Sequence, residues 1–178
     1  LTGSGSSPMW QQAYDAGAYI HSNSYGASTF GEYVSSDKNL DDSLRSLDNM
    51  IILFAAGNDD GFTNTTSSPG NSKNGLTVGA LLHGNSNSVA SYSNGGPTDD
   101  GRLKPDITAT GTSIGSAAGD TDNSGNVDLP SRRSTSGTSM ATPITAGATA
   151  LLRQYFTDGF YPTGVKNVPD NYQPSGQL

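Results

Sequence analysis

The sequence predicts an α/β fold, a mainly parallel sheet with helices on both faces. Three observations carry that expectation. Met50-Ile51-Ile52-Leu53-Phe54-Ala55-Ala56 is an unbroken apolar run of strand length, the pattern of a strand buried on both faces. Before it, Asp37 to Asp48 places Leu40, Leu44 and Leu47 at i, i+4 and i+7, one apolar stripe of an amphipathic helix. Ala18 to Ser24 reads as a strand ahead of that helix, so the order strand, helix, strand gives a βαβ unit.

The other elements follow along the chain. Pro8 to Gly17 is a short helix, with proline at its start and glycine as its stop. Asn58 to Asn74 and Gly84 to Asn87 are loops rich in Gly, Asn, Ser and Thr, and Leu76 to Leu81 between them is a strand. A helix rich in Ala and Gly opens near Ser139 and runs to about Phe156; Ala141, Ala146, Gly147, Ala148 and Ala150 are small enough to press it onto a sheet. Thr142-Pro143 is expected in its first turn, where a missing N–H costs nothing. The tail from Gly159 to Leu178 has little apolar periodicity.

Composition bounds the function. The 178 residues suit one domain with a real core. A net charge of −7 argues against nucleic acid or an anionic membrane surface as partner. No apolar run reaches the roughly 18 residues of a membrane span. With no cysteine, disulfides and Cys-based metal sites are excluded, which is compatible with secretion.

Two short segments carry chemistry. Gly137-Thr138-Ser139-Met140-Ala141-Thr142-Pro143 seats a serine on a glycine-led turn at a helix mouth, close to free N–H groups and the positive end of the helix dipole. Such a hydroxyl is a candidate nucleophile; the plain alternative is a serine cap on a core helix. Ala55-Ala56-Gly57-Asn58 ends the buried strand, where ligands of parallel sheets bind, and the Asn58 amide is placed to donate to a developing oxyanion. Nothing in the chain looks like the base Ser139 needs. His21 reads as structural and His83 as a surface residue.

These segments resemble the subtilisin-like serine proteases (subtilases, peptidase S8). The Gly137–Pro143 segment is similar to their serine motif, Ala55–Asn58 to their oxyanion-hole strand, and Asn23-Ser24-Tyr25-Gly26 to their substrate-binding strand. Gly96-Pro97-Thr98 and Asp99 to Ile107 resemble the stretch between them. The likeness runs over most of the chain and looks closest to the oxidatively stable alkaline branch of secreted bacterial subtilases. It implies Ser139 as nucleophile and Asn58 as oxyanion donor. It implies Ser24, Tyr25 and Gly26 pairing with an extended polypeptide substrate, and Ala55, Ala56 and Gly57 walling the pocket for the residue before the scissile bond. Small wall residues suit a large apolar side chain, while Asp59 or Asp60 at the rim favours a basic one. In that family the Asp and His precede the Ser, so both belong to a segment upstream of Leu1. The chain is then expected to be a partial catalytic domain over residues 1–178, inactive alone. The rival reading is a non-catalytic, protease-derived binding or structural module.

A further pattern stands apart. Asp120, Asp122, Ser124, Asn126 and Asp128 put oxygen donors at positions 1, 3, 5, 7 and 9 of a loop with Gly125 at position 6, resembling an EF-hand-type calcium loop. Position 12 is Ser131 rather than a bidentate Glu, so the match is partial. Structural calcium is the candidate occupant, a solvated acidic turn being the plain alternative, and no catalytic cofactor is expected.

Overall fold

A computed structural model describes residues 8–59, 63–84, 87–118, 131–167 and 172. Four parallel strands form the central sheet in the order β1 (Ile20–Asn23), β2 (Ile51–Ala55), β3 (Leu76–Leu81) and β4 (Ile107–Thr110). Helices α1 (Pro8–Asp15) and α2 (Ser35–Ser46) pack on one face and α3 (Thr138–Thr157) on the other. The α/β expectation with helices on both faces therefore holds. A separate antiparallel pair, β5 (Ile114–Ala117) and β6 (Arg132–Thr135), joins β4 to α3.

Alternation along β2 explains the two faces. Ile52 and Phe54 point into a cluster with Trp10, Leu40, Leu44, Leu47 and Met50, which α1 and α2 supply with the turn into β2. Leu53, one residue out of phase, joins Val78, Ala80, Ala90 and Ala141 under α3. The predicted stripe Leu40, Leu44 and Leu47 is fully inside the first cluster. Helix α2 starts two residues earlier than expected, because the Asp37 carboxylate accepts the Val34 N–H (2.9 Å) and closes its first turn.

The connections are held by buried polar bonds rather than apolar packing. Asp41 accepts the Lys73 and Asn74 N–H groups (2.8–3.0 Å) and the Tyr33 hydroxyl (2.7 Å), tying α2 to the loop before β3. Lys104, almost fully buried, pairs with Asp106 (2.7 Å) and donates to Gly75 O and Thr77 Oγ1, fixing the entry to β4. Burial pushes the Lys104 ammonium below its ordinary value, with Asp106 opposing that shift. No helix among the described residues is long and apolar enough to cross a membrane.

Candidate active site

Helix α3 starts at Thr138, and that first residue grips the end of β2. The Thr138 N–H donates to Asn58 Oδ1 (2.8 Å). Its hydroxyl accepts the Gly57 N–H (3.2 Å) and has Asn58 Oδ1 (3.1 Å) and Gly57 O (3.3 Å) in reach as acceptors. With Oδ1 committed to Thr138, the Nδ2 end of Asn58 is the one left for a ligand, and it has no acceptor among the described residues. Gly57 is required here: φ is +110°, and a Cβ would lie 2.3 Å from both Asn94 Nδ2 and Ser67 Oγ.

Ser139 follows, half-buried, in the first turn of α3. A first-turn N–H has no acceptor inside its helix, and that of Ser139 has none among the described residues. Asn58 Nδ2 and the Ser139 N–H are thus two donors on adjoining elements, at the positive end of α3. The hydroxyl lies 3.5 Å from Ser24 O, a long contact that leaves it accessible.

Pro143 differs from expectation in an informative way. It sits in the second turn of α3, not the first. The N–H it lacks is the one that would bond to Ser139 C=O, four residues back. That freed carbonyl instead accepts the Ser24 hydroxyl at 3.0 Å. A missing helix bond thus becomes a link between the serine turn and the segment after β1. The side of that segment towards Ser68 is already paired, by reciprocal 2.9 Å bonds between Ala27 and Ser68.

Between these elements lies a pocket of about 260 Å³. Ser24, Tyr25, Gly26 and Ser28 form one side, and Ala55, Gly57, Asn58 and Asp59 the strand end. Ser67, Thr138 and Ser139 complete it. Ala56 contributes no lining: it is fully buried, its N–H bonded to Val78 O and its carbonyl accepting the Ser67 N–H. Tyr25 is exposed on its outer side and meets Phe54 edge-on at 5.4 Å.

Among the described residues no hydrogen bond joins either histidine to Ser139. His21 pairs in register with Ile52, on the α1/α2 face of the sheet and opposite α3. Burial lowers its imidazole below the ordinary value, a contact with Asn23 opposing, and Nδ1 has no partner among the described residues. His83 is an exposed residue beyond the end of β3. The residues Asp120, Asp122, Ser124, Asn126 and Asp128, like Asp60, lie outside the described residues. Among the described residues no cluster of three His, Cys, Asp or Glu could hold a metal.

One participant escaped sequence reasoning. Asn94, fully buried, accepts the Asp59 N–H at Oδ1 (2.7 Å) and donates from Nδ2 to Asp59 Oδ2 (2.8 Å) and Thr65 O (2.7 Å). Its backbone N–H bonds to Gly57 O (3.0 Å). It lies 35 residues from Asp59, in a Gly- and Asn-rich stretch with no apolar period to mark it.

Residues 2–169 match the peptidase S8 family, described as the Subtilase family. The serine protease AprX of Bacillus subtilis (strain 168) is 40% identical over 132 residues, 68% of this chain and 30% of AprX. The serine protease/ABC transporter B family protein tagD of Dictyostelium discoideum is 32% identical across 97% of this chain and 14% of its own length. Among solved structures, the patellamide maturation protease PatA superposes with a TM-score of 0.60 at 31% identity, over 80% of this chain and 47% of PatA. Sphericase gives 0.59 at 26% identity, over 90% of this chain and 48% of its own. The chain therefore spans about half of these solved structures and less of the curated relatives.

Proposed function

The chain belongs to the subtilase family, and from that premise we propose that it is the serine-bearing part of an endopeptidase active site. One observation supports the reading: Thr138 holds Asn58 by its Oδ1, which leaves the amide Nδ2 as the free donor on a strand end that lines the same pocket as Ser139. The serine is seated where a nucleophile works and is bonded to the segment on which a substrate strand lies.

In the complete enzyme a histidine from the upstream segment takes the Ser139 proton as Oγ bonds to the peptide carbonyl carbon. The carbonyl electron pair moves onto oxygen, where Asn58 Nδ2 and the Ser139 N–H stabilise it. Collapse expels the amine with that proton and leaves an acyl-serine, which water hydrolyses. The open backbone of Ser24–Gly26 pairs with the extended polypeptide. The rival module reading has no use for a donor pair arranged in this way. Secretion follows from the resemblance to secreted subtilases.

The test is pre-steady-state hydrolysis of an activated ester by the full-length protease. A stoichiometric burst of leaving group, absent from Ser139→Ala, is expected. A burst that survives Ser139→Ala contradicts the assignment. The acidic loop adds a second proposal, carried by donor spacing: calcium in the millimolar range raises the melting temperature, and Asp122→Ala removes the rise. An unchanged melting temperature ends it.

A further inference from the structure

The sequence holds two Asn-Gly pairs, Asn74-Gly75 and Asn94-Gly95, and the fold treats them oppositely. We infer that Asn74 is a site of spontaneous deamidation, while the fold protects Asn94 from the same reaction. Both halves rest on the folded loops and not on the proteolytic reading.

The chemistry needs only water. The Gly75 nitrogen bonds to Asn74 Cγ and loses its proton, and Nδ2 leaves with a proton as ammonia. Water then opens the five-membered succinimide at either carbonyl, giving aspartate or isoaspartate. Glycine favours the first step because no Cβ crowds the attacking nitrogen.

At Asn74 the reacting groups are free. Asn74 is exposed in a bend ahead of β3, and its backbone N–H is bonded to Asp41 Oδ1 (2.8 Å). Among the described residues neither its side-chain amide nor the Gly75 N–H has a hydrogen-bond partner. Asn94 is the contrast. It is fully buried, its Oδ1 accepts the Asp59 N–H (2.7 Å), and its Nδ2 donates to Asp59 Oδ2 (2.8 Å) and Thr65 O (2.7 Å). The nitrogen that would attack it is engaged as well, since the Gly95 N–H donates to Thr65 Oγ1 (3.1 Å). Four bonds must break before that ring can close.

The product does not fit the loop it forms in. Deamidation places a carboxylate beside Asp41, whose own carboxylate accepts the Lys73 and Asn74 N–H groups. Isoaspartate also lengthens the main chain by one carbon ahead of Gly75, where there is no slack. A Cβ on Gly75 would already lie 2.5 Å from Ser72 Oγ and 2.8 Å from Leu40 Cδ2. The Gly75 carbonyl holds the buried Lys104 ammonium (3.2 Å), so its displacement loosens the entry to β4. Asn74 precedes β3, whereas Asn58 and Ser139 lie beyond the other end of the strands, so the loss falls on stability.

The full-length protease carrying Ser139→Ala, which does not digest itself, is aged in mildly alkaline buffer. Deamidation is then located by peptide mapping, with isoaspartate read by electron-transfer fragmentation. Asn74 should react roughly thirtyfold faster than Asn94 or more, the worth of four hydrogen bonds. In urea, where the fold is lost, the two should react at similar rates. The melting temperature should fall by roughly 2–4 °C as isoaspartate accumulates, the cost of about one lost hydrogen bond. Asn74→Gln, whose longer side chain closes the ring less readily, should age without that fall. Asn94 reacting as fast as Asn74 in the folded protein, or a difference that persists in urea, overturns the inference. An aged sample converted at Asn74 with an unchanged melting temperature overturns the structural consequence.

Discussion

On the α1/α2 side of the sheet, Trp10, Leu40, Leu44, Leu47, Met50, Ile52 and Phe54 interlock. On the α3 side the buried set is Leu53, Val78, Ala80, Ala90 and Ala141, three of the five being alanines. The difference is one of purpose. Large side chains separate backbones and bury area; small ones let backbones touch. Gly111 shows how far this goes: a Cβ there would meet Ala80 Cβ at 2.6 Å and Gly137 O at 2.7 Å. That approach lets Gly111 O accept the Gly137 N–H (2.8 Å) and seats the mouth of α3 against the end of β2. One face supplies stability, and the other trades packing volume for the position of Ser139.

Truncation on the stabilising face should have the largest effect. Leu44→Ala removes a side chain that is 1% exposed and should cost about 2–5 kcal/mol, read by chemical denaturation. The burst rate of the folded enzyme should stay the same; a slowed burst would merge the two faces. Asn58→Ala should do the reverse, with kcat down roughly 10²–10³-fold, a magnitude taken from the subtilisin precedent rather than from this structure. The same variant leaves the buried Thr138 N–H without its acceptor, so stability should also fall, by about 1–3 kcal/mol and less than at Leu44.

How much of this was legible beforehand depends on the face. Burial on one face of α2 and on both faces of β2 leaves a periodic trace, and Leu40, Leu44 and Leu47 announced it. Strand β4, Ile107-Thr-Ala-Thr, lies at the sheet edge and is mostly half-buried, so it lacks the apolar run that marks β2. The β5–β6 pair is largely exposed and joins segments 14 residues apart, which leaves no local pattern to read. In the site, Ser139 and Asn58 were visible because each sits at a predicted element boundary. Asn94 was not, since its role is to bridge loops distant in sequence. Pro143 was visible but misplaced by one turn, and the bond from Ser24 to Ser139 O depends on that turn.

That bond sharpens the contrast at a smaller scale. Ser24→Ala removes the donor to Ser139 O, and Pro143→Ala returns a competing helix N–H to the same carbonyl. Each should raise KM by about two- to tenfold, the worth of one hydrogen bond. The double variant should show less than the sum, because both act on one carbonyl. Additive effects would detach Pro143 from the Ser24 segment.

The smallest effect concerns Asp37, fully buried on the stabilising face with Oδ1 unpartnered among the described residues. Burial raises its carboxyl above the ordinary value, against the lowering by the Val34 N–H and Ser68 Oγ. A raised carboxyl binds its proton more tightly folded than unfolded. Its contribution is therefore most favourable below the unfolded value, near 3.8, and falls as pH rises through the folded one. Asp37→Asn, which stays neutral, should thus compare better with the native protein at pH 7 than at pH 3 in thermal melts. The opposite trend would make Asp37 a stabilising carboxylate.

The central claim is that Ser139 is a working nucleophile whose base lies outside these 178 residues. Fluorophosphonate labelling, with the modified residue located by mass spectrometry, tests it most directly on the full-length protease and on this chain alone. The expected result is label on Ser139 in the full-length protein and, in the isolated chain, none above a Ser139→Ala control. Strong labelling of Ser139 in the isolated chain, or label on another residue in the whole protein, would contradict it.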